Sequence, residues 1–389
     1  MNERTVILKK NRDKPIRQRH HWIFSGAVQS LPDFDDGDIL PVASSDGEFL
    51  GSAYFNRKSA IIGRMLSFDG TPPLKSLEQK LLGAIALRQD LVVLASNAQR
   101  LVNGEGDGLP GLVVDRYDDV LVIQVATLGM EKLKPVILDH LIRALSPRSI
   151  YEKSDLPTRR EEGLPEFEGH LYGEKVESVE IQEFGLRFLV EIRASQKTGF
   201  YLDLREMRGL VRSLAKGRRV LNCFCYTGGF TVAALAGGAA SVDSVDSSEP
   251  AISLAKRNLS LNGFSENQNR LVVADVFEFL RREIPSYDFI ILDPPAFAKK
   301  KTDVVPACRG YKDINRLALK KVGPQGLLLT LSCSHFVDES LFQQVVFQAA
   351  AEAGREVRIM QRHRLAFDHP INIYHPESEY LKGFLLYVQ

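Results

Sequence analysis

Cysteine is scarce in this chain, and so is anything that would tie it to a membrane. Four cysteines in 389 residues do not make the disulfide framework of a small secreted domain. Cys223 and Cys225 are separated by one residue, where zinc sites use two to four, and no histidine cluster follows. A metal site is therefore not expected. No apolar run reaches the roughly 20 residues of a membrane span, and residues 1–14 are charged, without the apolar stretch of a secretory signal. The expectation is a cytoplasmic protein with no membrane partner. Net charge is only +1, which argues against affinity for polyanions over the whole surface. The charge is uneven, however. Residues 1–21 carry seven Lys or Arg, Lys10 and Arg12 among them, against Glu3 and Asp13. By composition alone such a run reads as a solvated basic face.

What is present suits packed cores: 44% hydrophobic residues in a length that implies two or three domains. Residues 1–72 read as short strands (5–8, 39–43, 49–55, 61–66) split by Asp-Asp-Gly and Ser-Ser-Asp-Gly turns, a β-rich barrel pattern. Thr71-Pro72-Pro73 breaks the chain, and a helical period runs from Leu74 to about Asn97. Strands at 112–115, 120–125 and 149–152 with a helix at 132–145 make a central α+β module of residues 73–175. It closes in a charged loop, 159–169. From about 176 to 389, strands (219–222, 241–246, 270–274, 289–292, 327–331) alternate with helices (230–236, 250–262, 276–283, 313–321, 339–353). Alternation of this kind implies an α/β, doubly wound parallel sheet, with 384–388 as a last edge strand.

Two strands of that half end abruptly in reactive groups: Ile290-Ile291-Leu292-Asp293-Pro294-Pro295-Ala296-Phe297, then Leu331-Ser332-Cys333-Ser334. Ligands of open α/β sheets bind outside the carboxyl ends of the strands. Sequential parallel neighbours, roughly 4.8 Å apart, would aim Asp293 and Cys333 at one pocket. A carboxyl group and a thiol beside a planar pyrimidine can make an unreactive ring carbon nucleophilic, which points to a base-modifying enzyme. Upstream, Asn222-Cys223-Phe224-Cys225-Tyr226-Thr227-Gly228-Gly229 is a strand-to-helix turn. Eighteen residues beyond Gly228, a second strand ends in Asp246-Ser247, an acid placed for ribose hydroxyls. A third ends in Asp275-Val276, an acid for an adenine amino group or for capping a helix. The loop lacks the dinucleotide Gly-x-Gly-x-x-Gly. Loop, ribose acid, adenine acid and Asp-Pro-Pro in this order indicate S-adenosylmethionine as cofactor.

These residues carry a resemblance. The C-terminal half resembles class I S-adenosylmethionine-dependent RNA methyltransferases, and the whole chain is similar to the RlmI-like group that makes 5-methylcytosine in large-subunit ribosomal RNA. The matching segments are 196–205 (Gln-Lys-Thr-Gly-Phe-Tyr-Leu-Asp-Leu-Arg), 222–230, 245–247 and 293–297. They continue with 310–315 (Gly-Tyr-Lys-Asp-Ile-Asn), 332–334 and 380–384. The resemblance implies an RNA-binding PUA domain over 1–72, a central α+β domain over 73–175 and a Rossmann-like methyltransferase domain over 176–389. It implies RNA as partner, leaves a homodimer open, and adds Lys197, Thr198, Gly199 and Phe200 to the cofactor residues Asn222, Tyr226, Gly228, Asp246, Ser247, Asp275, Val276 and Asp293. It also favours nucleic-acid contact for Lys10 and Arg12.

Carbon 5 of cytosine is a poor nucleophile until a thiolate adds at carbon 6. Cys333 is the expected nucleophile, with Asp293 bonded to the cytosine. Substrate contacts are expected from Pro294, Pro295, Phe297, Tyr311, Lys299 and Lys300, with Phe336 a further stacking candidate. Pro295-Ala296 stands where other cytosine methyltransferases carry a second cysteine, and Cys308 reads as structural or incidental. His335, His363, His369 and His375 read as solvent or loop histidines. Methylation of a purine amino group, which needs no nucleophile, and a non-catalytic RNA-binding assembly factor are the alternatives.

Overall fold

The computed structural model describes residues 4–91, 95–282 and 285–389. The chain divides into two compact units. The first comprises Met1–Ile181, Val190–Leu202 and Phe367–Ser378; the second comprises Gln182–Leu189, Asp203–Ala366 and Glu379–Gln389.

The first unit holds two sheets. A six-stranded sheet runs in spatial order Trp22–Ile23, Gly63–Ser67, Phe49–Phe55, Ile39–Ala43, Val6–Leu8, Val28–Ser30. Phe49–Phe55 and Ile39–Ala43 have the expected bounds, and Gly63–Ser67 starts two residues later than expected. Trp22–Ile23 and Val28–Ser30 are too short for an alternating pattern to show. The five-stranded sheet runs Phe167–Gly173, Ser149–Ser154, Val120–Val125, Leu112–Tyr117, Ala98–Asn103. The expected loop 159–169 instead carries the end of a short helix, Pro157–Glu161, and the start of the strand Phe167–Gly173. The helix after the Pro-Pro break is Pro73–Leu91, and residues 92–94 of its expected span lie outside the described residues. Tyr54 and Leu66 pack into one core with Leu77, Leu112 and Val125, and the Tyr54 hydroxyl donates to Pro110 O at 2.7 Å. This shared core binds the N-terminal and middle segments into one unit.

The second unit is built on a seven-stranded sheet: β1 (Arg219–Cys223), β2 (Ser241–Asp246), β3 (Asn269–Val273), β4 (Tyr287–Leu292), β5 (Val322–Ser332), β6 (Val357–His363) and β7 (Lys382–Val388), in spatial order β3-β2-β1-β4-β5-β7-β6. The first five run parallel, and β7 is antiparallel to both β5 and β6. Helices α1 (Arg205–Leu214), α2 (Gly229–Ala236), α3 (Glu249–Leu261), α4 (Val276–Arg281), α5 (Val304–Leu319) and α6 (Glu339–Ala353) connect and cover it. Central strands such as β4 are almost continuously buried, as a sheet covered on both faces requires. Three helices start on side-chain caps: Ser248 to Ala251 N, Asp275 to Glu278 N and Asp338 to Leu341 N.

Three expectations change. The strand ending at Val388 lies between β5 and β6, not at an edge. The true edge, β6, reads Val-Arg-Ile-Met-Gln-Arg-His and is mostly exposed, so no apolar alternation marks it. Helix α5 begins nine residues before Asp313, because Pro306 falls in its first turn, where no amide donor is needed. Glu283, the expected end of α4, lies outside the described residues.

A buried ion pair ties the hairpin strand Ser178–Glu183 to α1. Glu183 accepts from Arg208 Nε at 2.6 Å and from its Nη2 at 2.7 Å, and it lies 3.4 Å from Arg205 Nε. Removing one partner of a buried pair leaves an uncompensated charge. Glu183→Ala removes the carboxylate that faces two buried guanidinium groups and is expected to lower unfolding free energy by about 3–5 kcal/mol. Denaturant melts of the variant and wild type check this, and a loss below about 1 kcal/mol would mean that the pair is solvated.

Candidate active site

Strand order reverses at β1, whose neighbours are β2 on one side and β4 on the other, so the crevice outside their carboxyl ends is the expected ligand site. Three loops converge there. Asp293 N, just past β4, reaches Cys223 O at the end of β1 across 3.5 Å. Cys225 N donates to Val245 O at the end of β2 at 3.1 Å.

The loop after β1 is tightly wound. Phe224, Tyr226 and Gly228 all have positive φ, at 60°, 47° and 81°. At Gly228 a Cβ would sit 3.0 Å from Ala255 Cβ, so glycine there serves close packing of α3 as well as the turn. Two non-glycine residues in this region cost strain, and the half-buried Asp246 counters it: Oδ2 accepts from Tyr226 N and Oδ1 from Ser248 N, both at 2.9 Å. Each oxygen keeps a lone pair for a further donor. Asn222 is fully buried; its Nδ2 donates to Thr231 Oγ1, and its Oδ1 has no partner among the described residues. Asp275 caps α4 through one oxygen, at 2.9 Å to Glu278 N, which leaves the other available. Val276 is buried in the core. Acceptors for ribose hydroxyls and for an amino group thus line these loops, and this donor set fits S-adenosylmethionine.

The other half of the crevice is built on β4 and β5. Their parallel register pairs Leu292, the last residue of β4, with Thr330, two residues before the end of β5. Half-buried Cys333 lies with Sγ 3.8 Å from Pro294 O, within sulfur hydrogen-bond reach. Ser334 fixes this junction. Its Oγ accepts from Ala298 N at 3.1 Å and meets Tyr311 Oη at 2.8 Å, while its carbonyl accepts from Lys382 Nζ at 2.6 Å. Pro295, Lys299 and Lys300 are exposed on the following loop, and Asp303 holds the two lysine amides. Ser334 and Lys382 were not singled out from sequence, although both fall inside segments that carried the resemblance.

Not every expected residue serves the site as expected. Tyr311 is fully buried, so it orients Ser334 instead of touching a substrate. Its ring supports half-buried Phe297 at 4.6 Å between centroids, and Phe336 is exposed. Residues 197–200 belong to the first unit. There Thr198 Oγ1 donates to Asp115 Oδ2 at 2.6 Å, Phe200 N donates to Tyr117 Oη at 3.0 Å, and a Cβ on Gly199 would meet Tyr117 at 3.2 Å. The side chains of Thr198 and Phe200 are buried in that packing, and Lys197 is exposed with Nζ 4.8 Å from the Tyr201 ring. Lys10 and Arg12 are exposed in the first unit.

The histidines also differ from expectation. His363, His369 and His375 are buried, and only His335 is exposed. His369 pairs with Asp368 at 2.7 Å. His20 Nε2, His375 Nδ1 and Glu377 come within 4.8 Å of one another, a metal-like grouping. Yet His20 Nδ1 accepts from Trp22 N at 3.2 Å, which puts the proton on Nε2, 3.4 Å from Glu377 Oε2. A nitrogen that donates to a carboxylate cannot also ligate a metal.

Comparison with known proteins agrees with the geometry. A family model for S-adenosylmethionine-dependent methyltransferases matches residues 163–364, and one for PUA-like domains matches residues 6–68. The chain is 43% identical to ribosomal RNA large subunit methyltransferase I of Aeromonas hydrophila, with 98% of each chain covered. It is 41% identical to the enzyme of that name from Vibrio cholerae, over 97% of this chain and 98% of that one. Among solved structures, a chain described as a SAM-dependent methyltransferase from Streptococcus mutans superposes with a TM-score of 0.85 at 24% identity. It covers 98% of this chain and 99% of that one. A methyltransferase complexed with SAH superposes equally well, TM-score 0.85, at 25% identity over the same shares.

Asp246 is the most exacting of the positions expected to hold the cofactor, because both its oxygens already order the loops. Asp246→Ala is expected to weaken S-adenosylmethionine binding by about 1–3 kcal/mol, the usual cost of leaving buried donors unpaired. Isothermal calorimetry on the variant is the check. Unchanged affinity would remove Asp246 from the cofactor site.

Proposed function

This chain belongs to the ribosomal RNA large subunit methyltransferase I family of S-adenosylmethionine-dependent methyltransferases, and we propose that it methylates carbon 5 of a cytosine in large-subunit ribosomal RNA. The observation that carries the reading is the thiol of Cys333 set 3.8 Å from the Asp-Pro-Pro backbone at Pro294. Methylation of an amino group has no use for a nucleophile there.

In this reading the target base leaves its stack to enter the crevice, and Phe297 and Pro295 border it. The Cys333 thiolate forms a bond to carbon 6, which breaks the carbon 5–carbon 6 double bond and places electron density on carbon 5. Asp293 hydrogen-bonds the ring nitrogen or amino group and stabilises the adduct. S-adenosylmethionine, when bound, supplies the electrophilic methyl group that carbon 5 takes. A base then removes the carbon 5 proton, the carbon 6–sulfur bond breaks, and the double bond returns with the thiolate as leaving group. Asn222, Tyr226, Gly228, Asp246, Ser247, Asp275 and Val276 frame the cofactor, and residues 197–200 complete the set. Lys299, Lys300, Lys10 and Arg12 meet phosphates, which position RNA without reading its sequence. Three domains divide the work, a PUA-like RNA-binding module of residues 1–72, a central domain of 73–175 and the methyltransferase domain of 176–389. The enzyme works in the cytoplasm. Among the described residues no helix is long and apolar enough to cross a membrane.

The covalent step can be trapped. Fluorine at carbon 5 cannot leave as a proton does, so target RNA carrying 5-fluorocytosine should stop at the adduct. The expected outcome is a cofactor-dependent complex, stable to denaturing electrophoresis, whose peptide mass maps to Cys333. Cys333→Ser should lose both adduct and turnover, since a hydroxyl is far less ionised than a thiol. Cys308→Ser should keep both. Normal methylation by Cys333→Ala would end the cytosine reading in favour of amino-group transfer.

A further inference from the structure

A thiol of ordinary acidity, near pKa ~8.5, is only a few per cent ionised at neutral pH, so the nucleophile proposed above needs a local positive charge. Strands β5 and β7 run antiparallel with Ser332 opposite Lys382, which stands the lysine beside the last residue before Cys333. Its Nζ extends past that pair to donate to Ser334 O at 2.6 Å and to Tyr380 O at 2.9 Å. An ammonium has three donors. Two are spent on neutral carbonyls, one of them on the residue next to Cys333, and neither compensates the charge.

Lys382 makes no ion pair among the described residues, and the charges that act on it are Cys333 and Asp338. Asp338 is engaged in capping α6 at 2.8 Å. Burial pushes the ammonium down to about 8, and the thiolate charge of Cys333 opposes that fall. The attraction is reciprocal, so what favours the ammonium favours the thiolate. Other titratable groups stand around the junction. Asp293 follows β4, and Tyr311 on α5 is held neutral by burial. On β6, His363 is opposite Gly383 and is likewise driven neutral. His335 is exposed, two residues beyond Cys333.

We propose that Lys382 is the built-in counter-ion that holds Cys333 as a thiolate and, through Ser334 O, fixes the strand end that carries it. The inference rests on Cys333 being the nucleophile, but its test does not need RNA or turnover.

The test is the pH profile of iodoacetamide alkylation of full-length protein, with the Cys333 peptide followed by mass. Wild type should reach its half-maximal rate below pH ~8.5, the ordinary thiol value. Lys382→Met should raise that midpoint by about one unit, slowing alkylation at pH 7 about tenfold while the high-pH rate stays the same. Lys382→Gln, which keeps a donor for Ser334 O but no charge, should behave as Lys382→Met does. Lys382→Arg should restore the wild-type midpoint. S-adenosylmethionine affinity, measured on each variant, identifies those that are folded. A wild-type midpoint in folded Lys382→Gln overturns the proposal. So does a lower high-pH rate with an unmoved midpoint, which would make Lys382 a purely structural pin. A shifted alkylation profile without any 5-fluorocytosine adduct would keep the ion pair and reject the cytosine chemistry.

Discussion

Everything in the candidate site follows from the parallel ladder between β4 and β5. Leu292 opposite Thr330 is the last pair of that ladder, and β5 runs only two residues further, held by β7 through Ser332 opposite Lys382. Asp293-Pro294 and Cys333 therefore leave the sheet side by side, and the thiol comes within 3.8 Å of Pro294 O. A slip of one residue would turn each side chain to the opposite face. Register is secured because both faces are buried: Ile290, Ile291, Leu328 and Leu329 are all without solvent exposure.

Around that frame the loops are fixed by a small number of polar anchors. Asp246 holds the strained loop after β1 through Tyr226 N and its own loop through Ser248 N, both charge-assisted bonds, the kind roughly twice as strong as neutral ones. Ser334 gathers three elements at once, the Asp-Pro-Pro loop through Ala298, α5 through Tyr311 and β7 through Lys382. Preorganisation of this sort spares the enzyme the entropy of assembling a catalytic geometry at each turnover.

Much of this was legible in the sequence, for definite reasons. Strands β4 and β5 announce themselves as apolar runs and β2 as valines alternating with polar residues, and Asp246, Asp293 and Cys333 stand at or just past the ends of these strands. The PUA-like segment shows through its turn chemistry. The edge strand β6 was hidden because its residues are polar and exposed. Helix α5 was shortened by a proline that is harmless in a first turn. Tyr311 looked like a stacking platform because sequence does not tell an inward aromatic from an outward one. Residues 197–200 fall in the first unit, where the Thr198 hydroxyl donates to Asp115 and the Phe200 amide to Tyr117, partners about eighty positions away that no local pattern reveals. Lys382 was invisible as a functional residue for a similar reason. Its importance arises from pairing with a strand fifty positions earlier in the chain.

The central claim is that this fold makes 5-methylcytosine in large-subunit ribosomal RNA, and nucleoside mass spectrometry of that RNA from cells lacking the gene addresses it most directly. The expected result is one 5-methylcytosine missing per large-subunit RNA, restored by the wild-type gene and not by Cys333→Ala. An unchanged 5-methylcytosine content, with a methylated adenine or guanine missing in its place, would contradict it.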